Sequence, residues 1–377
     1  MKRAAALVLI AVLSACQPRP AAVAPLGLPA LALPPASQAQ ADLGRKLFMD
    51  RRLSPNNTMS CAMCHVPEQG FAANEIATAI GVTGRSLRRN APTLLNVAYV
   101  GRLFHDGRES TLEHQAWAPL LNPVEMANPS VVSVAGRIRA MPDYAGRFEA
   151  AFDGRGPDQA TVGAALAGYQ RTLVSGNSRF DRWRYGRERQ ALDDAEIAGF
   201  AVFAGKGRCV ACHTVGERAA LFADGRFHNT GIGWVRSAAP RQVHAVRLAE
   251  GVFAAVSDRD LRTVSEPPQA DDGRAEVTHA AGDRWAYRTP GLRNVALTGP
   301  YMHDGSLGTL EDVIEFYQRG GIDNPFKDRL LRPLQLSSAD KRNLAAFLRS
   351  LTGDNADGLA RAARGERSDY PIPAALP

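Results

Sequence analysis

The sequence predicts a mostly α-helical protein built from a duplicated module, with long loops and little strand. Three observations predict it. A Cys-x-x-Cys-His motif occurs twice, residues 92–113 recur without a gap at 290–311, and no strand-rich stretch stands out. With 45% hydrophobic and 22% charged residues over 377 positions, the composition is globular and the length suffices for two cores. It excludes a disordered tail, a collagen-like fibre and a polytopic membrane protein. The net charge of +7 comes from scattered arginines, and no basic run makes a stripe for nucleic acid. Five cysteines are too few, and odd in number, for a disulfide scaffold of this size.

The first segment reads as an address. Met1-Lys2-Arg3 is a short basic start, and Ala4 to Val12 is an apolar run too short to span a bilayer. Leu13-Ser14-Ala15-Cys16 then resembles a bacterial lipobox, which implies that residues 1–16 are a lipoprotein signal ending at a lipidated Cys16. An ordinary signal peptide with a cysteine near its cut is the alternative. Gln17 after that cysteine implies the outer membrane by the same resemblance. Residues 17–40, rich in Pro and Ala with no charge after Arg19, read as a flexible tether. The expectation is an exported, periplasmic protein that meets the membrane only through its N-terminal lipid. A first module over 41–190, a second over 191–360 and a tail over 361–377 complete the layout.

The remaining cysteines form Cys61-Ala62-Met63-Cys64-His65 and Cys209-Val210-Ala211-Cys212-His213. Residues three apart share a helix face, so both thiols of a pair can meet the two vinyl groups of one haem. The next histidine then presents its imidazole to the iron. A zinc ribbon spaces its pairs by about 15–20 residues, whereas 144 residues separate these pairs. A thioredoxin-like site does not require histidine after the second cysteine. Two covalent c-type haems are expected, on Cys61 and Cys64 with axial His65, and on Cys209 and Cys212 with axial His213.

The repeat distinguishes the two centres. At an offset of 198 the copies share Pro, Leu, Asn-Val-Ala, Gly, His-Asp-Gly and Thr-Leu-Glu. Each module should run from a Cys-x-x-Cys-His helix through an extended Asn-Val-Ala segment and a His-Asp-Gly turn to a helix that Thr caps. Continuing the offset pairs Pro119 with Tyr317, each six residues beyond its glutamate. If that helix crosses the open face of its haem, one iron meets a proline and the other a phenol. Proline cannot ligate iron and tyrosinate can, so the first haem should be high-spin and open, the second low-spin and closed. The alternative is a Tyr317 that packs in the core with its hydroxyl satisfied.

These motifs, with Leu121-Asn-Pro-Val-Glu-Met126 and Thr289-Pro-Gly-Leu-Arg-Asn-Val-Ala-Leu-Thr-Gly-Pro-Tyr-Met-His-Asp-Gly305, resemble the bacterial di-haem cytochrome c peroxidase and MauG superfamily. The resemblance covers roughly residues 41–353 and implies two cytochrome c-like domains with haems flanking their interface. Cys61-Ala-Met-Cys-His-Val-Pro-Glu-Gln-Gly-Phe71 and Leu103-Phe-His-Asp-Gly-Arg108 look most like MbnH-type enzymes. Those are encoded beside a copper-binding partner protein and oxidise a partner tryptophan to kynurenine.

Peroxidases of the superfamily carry methionine where Tyr317 stands, so the tyrosine resembles the MauG arrangement. A hard anionic oxygen favours higher oxidation states of iron, whereas thioether sulfur favours the reduced state. A His/Tyr haem therefore suits storing oxidising equivalents as Fe(IV), which favours a protein substrate over a small electron donor. Met302, the rival ligand, lies opposite Phe104 in the repeat and reads as loop packing. Peroxide cleavage needs one proton removed and one delivered, and a single carboxylate can do both. The resemblance implies Glu125 in that role, with Gln115 orienting peroxide or water. From the residues alone these are equally a loop anion and a solvated helix residue. It also implies calcium held by Asn96 and by the carbonyls of Thr298 and Pro300, an oxygen set that suits this hard cation. The local alternative is that Asn96 and Asn294 merely cap turns.

One departure matters. The superfamily usually has a tryptophan between the haems, directly before the first Asp-Gly-Arg, and this chain has His105. Imidazole is harder to oxidise than indole, so the candidate relays between the haems are His105 itself, Trp117 and Trp285, with another route open, while His105 and His303 read more as turn-stabilising hydrogen bonders than as metal ligands. The second module also carries about fifty extra residues between His213 and Pro290, with Trp234, His228, His244, His279 and Glu266-Pro-Pro-Gln-Ala-Asp-Asp-Gly273. A partner-docking surface and a solvated excursion are both open. Three functions follow in descending order: peroxide-driven oxidation of a tryptophan on a partner protein, reduction of hydrogen peroxide by a soluble donor, and electron relay without catalysis. A relay wants both irons six-coordinate, which Pro119 disfavours.

Overall fold

The computed structural model describes residues 24–32, 36–237, 243–249, 251–257 and 270–365. Cys16, the signal segment and most of the expected tail lie outside these residues. In chain order the helices are α1 (Gln38–Met49), α2 (Cys61–Cys64), α3 (Leu112–Gln115), α4 (Trp117–Leu121), α5 (Val131–Arg139), α6 (Arg147–Ala151), α7 (Gln159–Thr172), α8 (Arg179–Arg184), α9 (Asp194–Ala204), α10 (Ile232–Ser237), α11 (Ala275–Thr278), α12 (Leu310–Gln318), α13 (Ser338–Arg349) and α14 (Ala356–Ala363). The strands are β1 (Phe227–His228), β2 (Val243–Ala249), β3 (Val252–Ser257) and β4 (Tyr287–Arg288). They make two antiparallel pairs, β1 with β4 and β2 with β3. The fold is mostly helical with little strand, as the sequence predicts.

The first core forms where α1 crosses α7. Ser37 and Gln40 close a capping box that starts α1 inside the expected tether, and Leu43, Leu47 and Phe48 turn inward. Gly44 sits at the crossing, where a Cβ would collide with the Ala165 carbonyl. The second core repeats the device with α9 crossing α13, and Gly199 lies against the Asn343 carbonyl. Fully buried Phe347 touches Phe180, Phe200, Phe203 and Phe222 there, with ring centroids 5.1–6.4 Å apart. A buried aromatic of this kind contributes about 1.5–3 kcal/mol by area alone.

The Thr-Leu-Glu helices begin as expected and then diverge. Thr111 Oγ1 accepts the His114 N–H, and Thr309 with Asp312 closes a capping box. Past the caps, Pro119 has no N–H for the Gln115 carbonyl and crowds it, so the first helix breaks at Ala116 into α3 and α4. Tyr317 imposes no such break, and α12 runs unbroken. The second Cys-x-x-Cys-His motif also departs from expectation, forming a 3₁₀ turn over Cys209–Ala211 where the first forms α2.

The chain crosses between cores more than the expected boundaries imply. Phe180 on α8 is fully buried in the second core, so that core begins before position 190. Leu359 and Ala363 on α14 return to the first. Residues 25–28 of the expected tether are docked. Leu26 exchanges hydrogen bonds with Asn177, and the Gly27 carbonyl accepts from Ala220 N–H and from Arg293 at 2.5 Å. Arg293 pairs with wholly buried Asp181 at 2.7 Å, and Gly27, at φ 84, packs where any side chain would strike that pair. No helix among the described residues is long and apolar enough to cross a membrane.

Candidate functional site

Each Cys-x-x-Cys-His motif sits in the same surroundings. His65 Nδ1 lies 3.2 Å from the Phe71 carbonyl and His213 Nδ1 lies 2.8 Å from the Phe222 carbonyl. Both phenylalanines are fully buried at positive φ, 55° and 53°. The carbonyls of Pro92 and Pro290, equivalent in the repeat, face the same two imidazoles. A carbonyl only accepts, so each Nδ1 carries the proton and each Nε2 keeps a lone pair for a metal. Burial lowers both histidine pKa values and keeps the rings neutral. The cysteine pairs pack on different cores, which excludes one shared zinc site. Burial lifts Cys61 and Cys209 to about 12 and Cys64 to about 11, so these thiols stay protonated at neutral pH.

The surroundings fit haem. Buried Tyr99 Oη, Tyr169 Oη and Gln318 Oε1 have no hydrogen-bonding partner among the described residues. Half-buried Arg288 donates to the Phe104 and Thr289 carbonyls and pairs with no described carboxylate. Orphaned polar atoms and an uncompensated guanidinium call for an anionic, polar-edged ligand, which the haem carboxylates would supply.

Around the first motif, the segment from α4 to Met126 closes on itself through Met126 N–H to the Pro119 carbonyl at 3.1 Å. This brings Glu125 within electrostatic reach of Cys64 and Cys61. Asn122 Nδ2 donates to Glu125 Oε1 at 2.7 Å, and Val82 N–H to the Glu125 carbonyl at 2.8 Å. Burial raises the Glu125 pKa, with Asn122 and the Arg108 cation opposing it. Gln115 ends α3, partly accessible. Around the second motif, Tyr317 near the end of α12 lies within electrostatic reach of Cys212 and Cys209, and burial together with those sulfurs pushes its phenol pKa up.

Between the motifs, Asn96 and Asn294 take the same left-handed conformation, φ 63° and 61°. Both reach Ser175: Asn96 exchanges two 2.8 Å bonds with its backbone, and Ser175 Oγ donates to Asn294 Oδ1 at 3.1 Å. Asn96 Oδ1 retains one lone pair, and the Thr298 and Pro300 carbonyls accept no backbone hydrogen bond among the described residues, so three oxygens remain for a cation. His105 Nε2 bonds the Asn90 carbonyl at 3.0 Å. His303 departs from the expectation of a turn-forming hydrogen bonder: its Nε2 is buried without a described partner, and the ring stacks on Tyr287. Trp117 packs in the first core with its indole N–H on the Gln159 carbonyl, and Trp285 lies against Phe326.

A methylamine utilization protein MauG from Methylorubrum extorquens is 37% identical to this chain over 85% of it and 80% of the relative. The chain belongs to the di-haem cytochrome c peroxidase and MauG family. The family model for di-haem cytochrome c peroxidase matches residues 38–189. A cytochrome-c peroxidase IdrP1 from a Pseudomonas species is 35% identical over 84% of this chain and 82% of its own. Among solved structures, a MauG-like protein associated with microbial copper homeostasis superposes with a TM-score of 0.70 at 31% identity, covering 87% of this chain and 95% of that one. The di-haem peroxidase BthA from Burkholderia thailandensis gives 0.68 at 27% identity, over 90% and 97%.

As a member of the MauG and peroxidase family the chain is a haem-dependent oxidoreductase, and membership implies two c-type haems. One feature near the second motif was not legible. His228 lies between Asp224 at 2.9 Å and Asp328 at 2.5 Å, with the Asp224 and His228 ligand atoms within 4.8 Å of the Cys212 sulfur. These partners are up to 100 positions apart, so no local spacing announces them.

Proposed function

We propose that this enzyme uses hydrogen peroxide to oxidise a residue on a partner protein, a tryptophan taken to kynurenine, as MauG- and MbnH-type enzymes do. The observation that carries the reading is the asymmetry at the repeat-equivalent positions. Tyr317 lies within electrostatic reach of Cys209 and Cys212, whereas Pro119 is tied by its carbonyl to the loop that brings Glu125 within electrostatic reach of Cys64. When bound, the haems supply the redox chemistry, taking oxidising equivalents from peroxide. Cys61 and Cys64 with His65 would hold the first, and Cys209 and Cys212 with His213 and Tyr317 the second, on a duplicated module. Glu125, its pKa raised by burial, takes a proton from peroxide as the carboxylate and returns one to the leaving oxygen. Gln115 orients the peroxide, and Pro119, which has no side-chain donor, would supply no ligand to the first haem. Asn96, Thr298 and Pro300 hold calcium.

The partner is a periplasmic protein, copper-binding and encoded nearby, a choice supported by the structural likeness to a MauG-like protein associated with microbial copper homeostasis. The enzyme itself is exported and held at the outer membrane through Cys16. The likeness to cytochrome-c peroxidase IdrP1 favours a second reading, peroxide reduction by a small donor protein. One experiment separates them: the holoenzyme is mixed with peroxide and the product of the neighbouring gene, and the partner is weighed by mass spectrometry. Added oxygen on a tryptophan is expected. An unmodified partner, with peroxide consumed only when a reduced cytochrome is supplied, would select the second.

A further inference from the structure

We propose, on the reading that both haems are bound and exchange charge, that the stacked rings of Tyr287 and His303 form the electronic bridge between the two sites. They would do the work of the indole that His105 replaces.

Strand β4 joins the sites. On one side Tyr287 is the cross-strand neighbour of His228, whose ring nitrogen lies within 4.8 Å of the Cys212 sulfur. On the other, Arg288 N–H donates to the His105 carbonyl at 2.8 Å and Arg288 Nε to the Phe104 carbonyl at 3.3 Å. Arg108, three positions beyond His105, pairs with Asp106 at 2.9 Å and lies within electrostatic reach of Glu125 of the first site. Tyr287 lies flat on His303, ring centroids 3.5 Å apart and planes within 10°. The His303 carbonyl accepts the Asn90 N–H at 2.7 Å, and the Asn90 carbonyl meets His105 Nε2 at 3.0 Å. Rings and short hydrogen bonds thus connect the edge of the second site to the His-Asp-Gly loop of the first module. Keeping His303 Nε2 buried without a described partner costs stability, and the face-to-face stack is what that cost maintains.

The pair sits among opposing charges. The Arg89 guanidinium lies 5.6 Å from the centroid of the Tyr287 ring, while the Asp271 and Asp304 carboxylates act on the phenol with the opposite sign. The phenol donates to the Asp271 carbonyl at 3.3 Å. An electron tunnels through two closed-shell rings. The second centre is oxidised by one electron, the first centre, already oxidised by peroxide, is reduced by that electron, and Tyr287 keeps its proton throughout.

The test uses the full di-haem protein reduced by one electron under carbon monoxide, with neither peroxide nor partner present, and reads the rate of electron exchange between the haems after a light flash releases the carbon monoxide. A failed partner assay therefore leaves its result standing. Tyr287→Leu should slow exchange measurably and leave both haem spectra intact. His303→Leu removes the other ring and should slow it likewise. Tyr287→Phe keeps the ring and should exchange at the parent rate. The bridge is overturned if both leucine variants exchange at the parent rate, or if the slowing appears only in Trp117→Leu or Trp285→Leu. A phenylalanine variant as slow as the leucine one would overturn it too, by making the phenol itself an oxidised intermediate.

Discussion

Glu125 is held between opposing influences. Burial favours its neutral form, while Asn122 and the Arg108 cation favour the carboxylate, and burial wins. A base must be ionised to take the first proton. The rate of reaction with peroxide should then fall as pH drops through the raised Glu125 pKa and level off above it. Arg108→Gln removes a cation, so the midpoint should move further up. Glu125→Gln should slow the reaction by about 10² or more, measured by stopped-flow absorbance. At the second site, Tyr317→Phe should remove one six-coordinate low-spin signal from the electron paramagnetic resonance spectrum of the resting protein. An unchanged spectrum would dismiss Tyr317 as a ligand. The Cys-x-x-Cys-His residues were legible because covalent haem attachment demands fixed local spacing. Tyr287 and His303 were not, since 16 positions and a tertiary fold lie between two rings whose stacking leaves no mark on either local pattern.

Helix packing shows which glycines are spacers and which are merely tolerated. Gly199 on α9 would drive a Cβ into the Asn343 carbonyl of α13, a backbone group that cannot swing aside. Gly199→Ala should cost about 1–3 kcal/mol, read as a lower urea midpoint. Gly136 lies exposed inside α5 with nothing within 4 Å of its Cβ position, so Gly136→Ala should add about 0.5–1 kcal/mol in the same assay. The repeat reveals the caps at Thr111 and Thr309, because capping chemistry is local. The break at Ala116 follows from Pro119 in the same way. The β2–β3 hairpin was missed: the extra residues read as a polar excursion, although Gly251, at φ 73°, leads directly into β-branched Val252 and Val256. Phe253 at its tip is 63% exposed, and no feature of the cores explains that.

At the scale of the whole molecule the two cores are tied by segments whose sequence order misleads. A linear reading assigns α8 to the first module and α14 to the second, whereas Phe180 packs in the second core and Leu359 in the first. Such crossings are invisible to a repeat alignment, because an apolar helix face does not say which partner it will bury against. The crossings bind the modules mechanically. Asn355 donates to the Val174 carbonyl at 2.9 Å as α14 begins, and Arg364 pairs with Glu68 at 2.7 Å as it ends, next to the Cys61–Cys64 segment. Loosening α14 should therefore weaken the surroundings of the first haem although α14 lies about three hundred positions away in the chain. Leu359→Ala should cost about 2–5 kcal/mol, and the loss should register at the first site. In a urea titration followed by haem absorbance, the open high-spin signal should change at lower denaturant than the low-spin signal, whereas in the parent protein the two should move together. Coincident transitions in the variant would mean that the interlock spreads the loss over both cores. Loss of the low-spin signal first would mean that α14 supports the second module after all.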